Sequence, residues 1–598
     1  RAGTLVDFQL ANLSTANQAA LNKNIKGTTD NLGSARVAYL RGATDSQFRT
    51  RNYLLGDIIY SSPAVVAAPD RLPALMDQAQ FGLPTGSSTS AAPAGQSYAA
   101  YKTAQANRAK RVYVGANDGM LHAFDDNGQE VFAYVPTAVI PNLNKLTDKS
   151  YSGTAHQFYV DGTPVVGDVF YNNAWHTILI GTLRAGGRSL FALDITDPAN
   201  IQLLWEYSST DDADMGYTFG RPIITRLHSG QWGVIMSNGY ASTGGTAGVG
   251  RAAMFLFNAQ TGAVIKKMTV GTSVTTDNGL SSPRAVDING DLITDYVYAG
   301  DLRGNMWRFD LFDTSITADA TVAVSTNSFR AAFGGSPLFT ANNGSPQPIT
   351  TAPTLIRHPT GTGYIVSFGT GKYIEDSDAA ANTSQAMTMY GIWDLQTSGG
   401  NATSTPNVTR SNLLAQTFNA AVNNASFTDT SSSGTTTTST KDIRQVSRNA
   451  IQWYVNGDPT QGVSKYGWYL DLANGSTKQG EMVVTDPTSR ASVLLATTIV
   501  PSNDPCQAGI DRWFLALDAY TGGATTFDVL DLSGNNYVSA NDRYNNGVVS
   551  GVRIPGFGSP AVIGNDAYFN TELGISRVRL DYGQQAKGRQ NWRRVGEE

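Results

Sequence analysis

Val112-Tyr-Val-Gly-Ala-Asn-Asp-Gly-Met-Leu-His-Ala-Phe-Asp125 decides the fold. An apolar strand runs into a Gly-containing turn, and a second apolar strand ends on Asp. The period-2 alternation is that of half-buried strands. Related copies run Ile178–Asp194, Val234–Asn258 (closed by Thr261-Gly262), Tyr296–Asp310 and Val493–Asp518 (closed by Thr521-Gly522). One hairpin cannot bury its own apolar face, and radial stacking of similar units solves that problem. The first four closing residues are 69, 64 and 52 apart, wider than the propeller repeat of roughly 40–50, which implies loop insertions. Ser61-Ser62-Pro63, Gly162-Thr-Pro164, Ser281-Ser282-Pro283 and Thr351-Ala-Pro353 each precede a strand, where proline is tolerated as the first residue. Further strand-rich segments lie at Tyr364–Gly369, Tyr466–Leu472 and Ser559–Gly564. Six to eight blades fit, and seven is the expectation: an all-β propeller with loop insertions.

Composition agrees with a turn-rich β protein. Only 15% of the 598 residues are charged, against about 25% in typical domains, and there are 61 glycines. Residues 1–50 form an expected N-terminal segment packed on the propeller, with a helix at Leu10–Leu21, and 51–598 are assigned to the propeller. Two polar stretches, at about 82–107 and 397–442, read as insertions; the second, with Thr435–Thr440 at its heart, is too poor in apolar residues for a core of its own. A net charge of −5 and the lack of a basic stripe argue against nucleic acid, leaving Lys587–Arg594 as a solvated tail. Cys506 is the only cysteine, which excludes an intramolecular disulfide. No apolar run reaches the roughly 18 residues of a membrane span, and a start at Arg1 without a signal pattern suggests a portion of something longer.

The chemistry-bearing stretch is Asp287-Ile-Asn-Gly-Asp-Leu-Ile-Thr-Asp295. Asp287, Asn289, Asp291 and Asp295 offer side-chain oxygens at loop positions 1, 3, 5 and 9, and Ile293 offers its carbonyl at position 7. That is the ligand order of an EF-hand-type calcium loop. It departs from the pattern at position 6, Leu292 for Gly, and at position 12, Tyr298 for Glu. The competing reading is a metal-free Asx turn. A second loop, Asp531–Asp542, places Asp531, Ser533, Asn535, the Tyr537 carbonyl, Ser539 and Asp542 in similar order. With two carboxylates it reads first as a polar turn and second as a weaker metal site. His122, His156, His176, His228 and His358 form no i, i+4 pair, so zinc and catalytic histidine chemistry lack support. Ala185-Gly-Gly-Arg188 reads as a β-turn rather than a phosphate cradle.

Tyr39-Leu-Arg-Gly42, Leu55-Gly-Asp-Ile58, Val114–Phe124, Asp161–Val166, Gly181–Arg188, Gly216–Pro222, Ser282–Asp287 and Gly588–Arg593 together resemble the C-terminal domain of PilY-type type IV pilus biogenesis proteins. The resemblance runs from about residue 35 to the end. It implies a modified seven-bladed propeller that is non-enzymatic, exported through the periplasm and placed at the pilus tip, outer membrane or cell surface. Implied partners are pilin or minor pilins, and host or abiotic surfaces. It also implies calcium on Asp287, Asn289, Asp291, Ile293 and Asp295 that sets fibre extension against retraction. Integrin binding is not carried over, because the chain lacks Arg-Gly-Asp. The alternatives are an adhesive propeller with structural calcium and a quinoprotein dehydrogenase; the latter commonly uses an adjacent-cysteine disulfide that Cys506 cannot make.

Overall fold

The computed structural model describes residues 4–82, 92–244, 250–271, 277–312, 324–395, 408–430, 434, 436–501, 511–554, 560–571 and 574–583. Cys506, Thr435, Ser559, the 587–594 tail, the Gly588–Arg593 motif and parts of both polar stretches (83–91, 397–407, 431–433) lie outside these. The described chain is mostly β and holds seven sheets, answering to the seven blades expected. Two compact units are distinguished: one chiefly Arg1–Asp301 and Trp307–Pro337, the other Leu302–Met306, Leu338–Ser398 and Pro406–Glu598.

Seven prolines mark the seven sheets. The strands that follow them are Ala64–Val66, Val165–Tyr171, Ile223–Leu227, Arg284–Val286, Thr354–Arg357, Thr488–Arg490 and Ala561–Ile563, the last but one preceded in its sheet by the hairpin Phe418–Thr430 and Thr436–Val446. Each starts immediately after a proline: 63, 164, 222, 283, 353, 487 and 560. Proline cannot donate to the ladder, and in two sheets a serine hydroxyl two residues before it accepts an N–H of a neighbouring strand end. Ser61 Oγ accepts the Gly115 N–H at 2.8 Å, and Ser281 Oγ accepts that of Gly300 at 3.1 Å. From each of these strands the chain runs back and forth, as in the order Val165–Tyr171, Ala174–Thr182, Ser189–Asp194, Gln202–Ser208.

The closing Asp or Asn of the repeats has a definite task. Asn258 Oδ1 accepts the N–H groups of Gln260 and Thr261, and Asp518 Oδ1 accepts those of Tyr520 and Thr521. The glycine that follows takes positive φ in both, +68° at Gly262 and at Gly522. A Cβ there would lie 2.6 Å from the Trp205 ring or 2.1 Å from the Trp468 ring. The indoles therefore pack flush against backbone, a contact only glycine permits.

Expected and observed helices differ in extent. Leu10–Asn12 is a 3₁₀ turn, and the α-helix is Thr15–Leu21, because the Ser14 hydroxyl caps it by accepting the Asn17 N–H. Three further α-helices, Gly33–Leu40, Pro73–Asp77 and Tyr98–Ala104, were not anticipated. The third lies in the first polar stretch, where Tyr98 and Tyr101 are buried. In the second stretch, Phe418–Thr430 and Thr436–Val446 form a long hairpin at the edge of a six-stranded sheet. Its Ala425 and Phe427 join the core beside Val493, Phe514 and Phe569.

Candidate metal centre

Residues 287–295 link two neighbouring sheets of the first unit. The loop leaves the strand Arg284–Val286 and returns as Tyr296–Gly300, its antiparallel partner. On the way, Ile293 and Thr294 pair in parallel with Arg226 and Leu227, in the first strand of the preceding sheet. The Thr225 and Thr294 hydroxyls meet at 2.7 Å. His228, directly after that strand, brings Nε2 to 2.8 Å from Asp295 Oδ1. Both side chains are fully buried.

The turn is held by the side chains expected as ligands. Asp287 Oδ1 accepts the Gly290 N–H and Oδ2 the Leu292 N–H, each at 2.7 Å. Asp291 Oδ1 accepts the Ile293 N–H at 2.8 Å, and Asp295 Oδ2 that of Ile288 at 2.7 Å. Asn289 Oδ1 accepts the Asp291 N–H, and its amide donates to Asp291 Oδ2 at 3.1 Å. Gly290 and Leu292 take φ of +83° and +66°. Position 6 thus adopts the left-handed conformation of the EF-hand glycine although its residue is leucine. The Leu292 side chain packs against the cluster containing Trp175 and Trp232.

Burial pushes the Asp295 carboxyl up to about 6, against the pull of His228, and raises Asp291 as well, aided by the charge of Asp287. A cation beside them would add to the pull of His228 and favour their ionised forms. Among the described residues no three Asp, Glu, His or Cys side chains converge into a ready metal cage, these included. Their oxygens are turned instead onto N–H donors, each of which occupies one lone pair and leaves another. The donor set is hard oxygen throughout, which suits calcium rather than zinc or copper.

The Asp531–Asp542 loop repeats this geometry through position 7. Asp531 Oδ1 accepts the Gly534 N–H at 2.7 Å and Oδ2 the Asn536 N–H at 2.8 Å. Asn535 Oδ1 accepts the Tyr537 N–H at 2.8 Å, and Gly534 and Asn536 have φ of +78° and +69°. It closes on position 12: Asp542 accepts from Leu532, Ser533 and Ser539. Asp429 of the long hairpin joins it, accepting from Ser539 Oγ at 2.6 Å and Asn541 Nδ2 at 2.7 Å. Sequence reasoning missed both His228 and Asp429. His228 lies 67 residues from its partner Asp295, and Asp429 lies 110 residues from Ser539, so no local spacing signals them.

The family model of the PilY1 beta-propeller domain matches residues 55–432, more than half of the chain. The chain belongs to the PilY1 β-propeller family. It is 44% identical over 611 aligned residues to the type IV pilus biogenesis factor PilY1 of Pseudomonas aeruginosa strain PAO1, covering 99% of this chain and 50% of that protein. A PilY1 homolog of Xylella fastidiosa is 34% identical over 532 residues, 83% of this chain and 32% of its own length. The crystal structure of the Pseudomonas aeruginosa PilY1 C-terminal domain shares 41% identity with a TM-score of 0.70, over 87% of this chain and 100% of that one. The modified seven-bladed β-propeller is thus the fold of this PilY1 family chain. The chain spans about half the length of the Pseudomonas relatives it matches. Among the described residues no helix is long and apolar enough to cross a membrane.

Proposed function

We propose that this chain is the calcium-binding propeller of a non-enzymatic, exported factor in type IV pilus biogenesis and surface adhesion. The observation that carries the pilus reading is the 44% identity, over 99% of the chain, to a protein named as a type IV pilus biogenesis factor. Its partners on this reading are pilin or minor pilins, with host or abiotic surfaces as adhesion targets, at the pilus tip or outer membrane.

Asp287, Asn289, Asp291, the Ile293 carbonyl and Asp295 would hold the ion. Bound calcium would neutralise three crowded carboxylates. The residues themselves do the coupling: Ile293–Thr294 and Asp295 tie the loop to Arg226, Leu227 and His228 of the preceding sheet. Loop order therefore bears on how firmly two blades are joined at their first strands. A ligand that favours one state of such a joint shifts its population by its differential affinity alone. We assign the balance of fibre extension against retraction to that joint.

The test is Asp295→Asn in piliated cells, with calcium calorimetry on the purified chain. The expected result is normal protein abundance, loss of one calcium step and a several-fold change in surface fibres counted by electron microscopy. Unchanged fibre numbers alongside lost calcium binding would refute regulation and leave a structural staple. Dye-linked alcohol oxidation by the purified chain would instead support the quinoprotein alternative.

A further inference from the structure

Gln347 is a fully buried amide in the loop ahead of the strand Thr354–Arg357. Its Nε2 donates to the Ala386 carbonyl at 2.8 Å and to the Thr388 hydroxyl at 2.9 Å. Its Oε1 accepts from the Tyr390 hydroxyl at 2.7 Å. Thr388 and Tyr390 stand two apart on the strand Thr388–Asp394, so both side chains leave the same face, and both are fully buried. On the adjacent strand Gly467–Asp471, Asp471 lies directly opposite Thr388, and its Oδ1 accepts the Thr388 O–H at 2.7 Å. Arg410 closes the group. Its Nη2 donates to the two Asp471 oxygens at 2.7 and 2.6 Å, and its Nη1 to the Tyr390 oxygen at 2.8 Å. The guanidinium itself rests 3.7 Å from the centre of the Tyr469 ring.

A buried amide needs only acceptors and a donor, and backbone groups would supply both. Here the partners are those of an acyl transfer. Thr388 is a hydroxyl nucleophile whose proton already points at a carboxylate, the arrangement that activates an alcohol. Tyr390 is a donor on the amide oxygen, where negative charge develops when the carbon is attacked. Burial raises the Tyr390 hydroxyl above its ordinary value, so the proton it donates stays on it. Arg410 is a positioning residue that fixes Asp471 and Tyr390 together. The sense of the amide is set as well, because Nε2 faces the Ala386 carbonyl, which can only accept.

The geometry points to an ester cross-link that the chain forms on itself between Thr388 and Gln347. A partial rotation about the Gln347 Cγ–Cδ bond turns the face of the carbonyl carbon to the hydroxyl that Nε2 now touches. The Thr388 proton passes to Asp471 as Oγ1 bonds to Gln347 Cδ, and Tyr390 holds the oxyanion so formed. Collapse breaks the Cδ–Nε2 bond, Asp471 returns the proton to that nitrogen, and ammonia leaves. One amide and one hydroxyl become one ester and one ammonia, with no oxidant, metal or second substrate. The link closes residues 347–388 into a ring, a covalent staple in a chain whose only cysteine can make no internal disulfide. It is independent of the calcium reading, since none of its residues belongs to either loop.

The test is mass spectrometry of the full purified chain, with Thr388→Val and Tyr390→Phe in parallel. The wild-type chain should be lighter than its sequence by one ammonia. Trypsin should release peptides 331–357 and 373–410, which hold Gln347 and Thr388, as one joined species. Neutral hydroxylamine, which cleaves esters and spares amides, should separate them and leave a hydroxamate at position 347. Thr388→Val should have its full sequence mass, and Tyr390→Phe should hold a larger unjoined fraction than wild type. A wild-type chain of full sequence mass, with the two peptides released apart, would overturn the proposal without any variant having to fold. So would an ammonia loss that persists in Thr388→Val. A joined fraction that Tyr390→Phe leaves unchanged would overturn the role given to Tyr390 and make it a core hydroxyl only.

Discussion

Replacing Asp295 by Asn should have opposite effects with and without calcium. Asp295 is fully buried between the His228 ring and the Ile288 N–H. Without a cation, an ionised carboxylate there carries a desolvation cost of several kcal/mol. The amide removes that cost but can satisfy only one of the two donors with oxygen, losing about 1 kcal/mol. The net is a gain of about 1–2 kcal/mol for the calcium-free variant. With calcium at 100 times its dissociation constant, wild type instead gains about 2.7 kcal/mol that the variant lacks. The loop belongs to a unit of roughly 340 residues, whose unfolding entropy is about 0.7 kcal/mol/K. Wild type should therefore melt about 4 °C higher in calcium than in EDTA, with the variant about 2 °C above wild type in EDTA and indifferent to calcium. Scanning calorimetry with both buffers reads the crossover. A variant that melts below wild type by the same margin in both buffers would refute the reasoning, because Asp295 would then be a packing residue alone.

Three other outcomes are expected. His358 is buried, stacked 3.8 Å from Trp393, with Nε2 unpartnered, and burial lowers its pKa to about 4. Folding therefore favours the neutral ring: stability is full above pH 6.5 and falls by up to about 3 kcal/mol as pH drops from 6.5 to 4, a slope that His358→Gln should flatten in urea titrations. Calcium titration should show a second, weaker step that Asp531→Ala removes, and a single step in the wild type would make that loop a polar turn only. Gly522→Ala would drive a Cβ to 2.1 Å from Trp468 at a φ of +68°. It should cost about 3 kcal/mol and lower that unit's melting by about 5 °C, whereas a shift under 1 °C would show that the indole can yield.

The blade architecture was legible because each sheet states its period locally. Hairpins ending in Asp or Asn were visible, and four of the seven proline starts were read; Pro222, Pro487 and Pro560 carry the same signal at Ile223, Thr488 and Ala561. What stayed hidden arises between elements. His228 and Asp295 meet only because Ile293–Thr294 lies against the preceding sheet, a parallel pairing no sequence period encodes. Tyr53–Tyr60 looks like a strand in composition, and only its anchoring through Asp57, Asp118 and Asp161 turns its side chains outward. Position 6 of the first loop is the more instructive departure. Leucine there weakened the match to a calcium loop, since left-handed backbone disfavours a Cβ by about 1–2 kcal/mol. The structure keeps the conformation and replaces the residue. The Leu292 N–H donates to Asp287, and its side chain packs against the apolar cluster of the Trp175 and Trp232 core, offsetting the strain. Asn536 holds the same conformation at φ +69° in the second loop, its N–H donating to Asp531. The motif therefore specifies a dihedral angle and a donor direction, and glycine is only the least strained way to reach them.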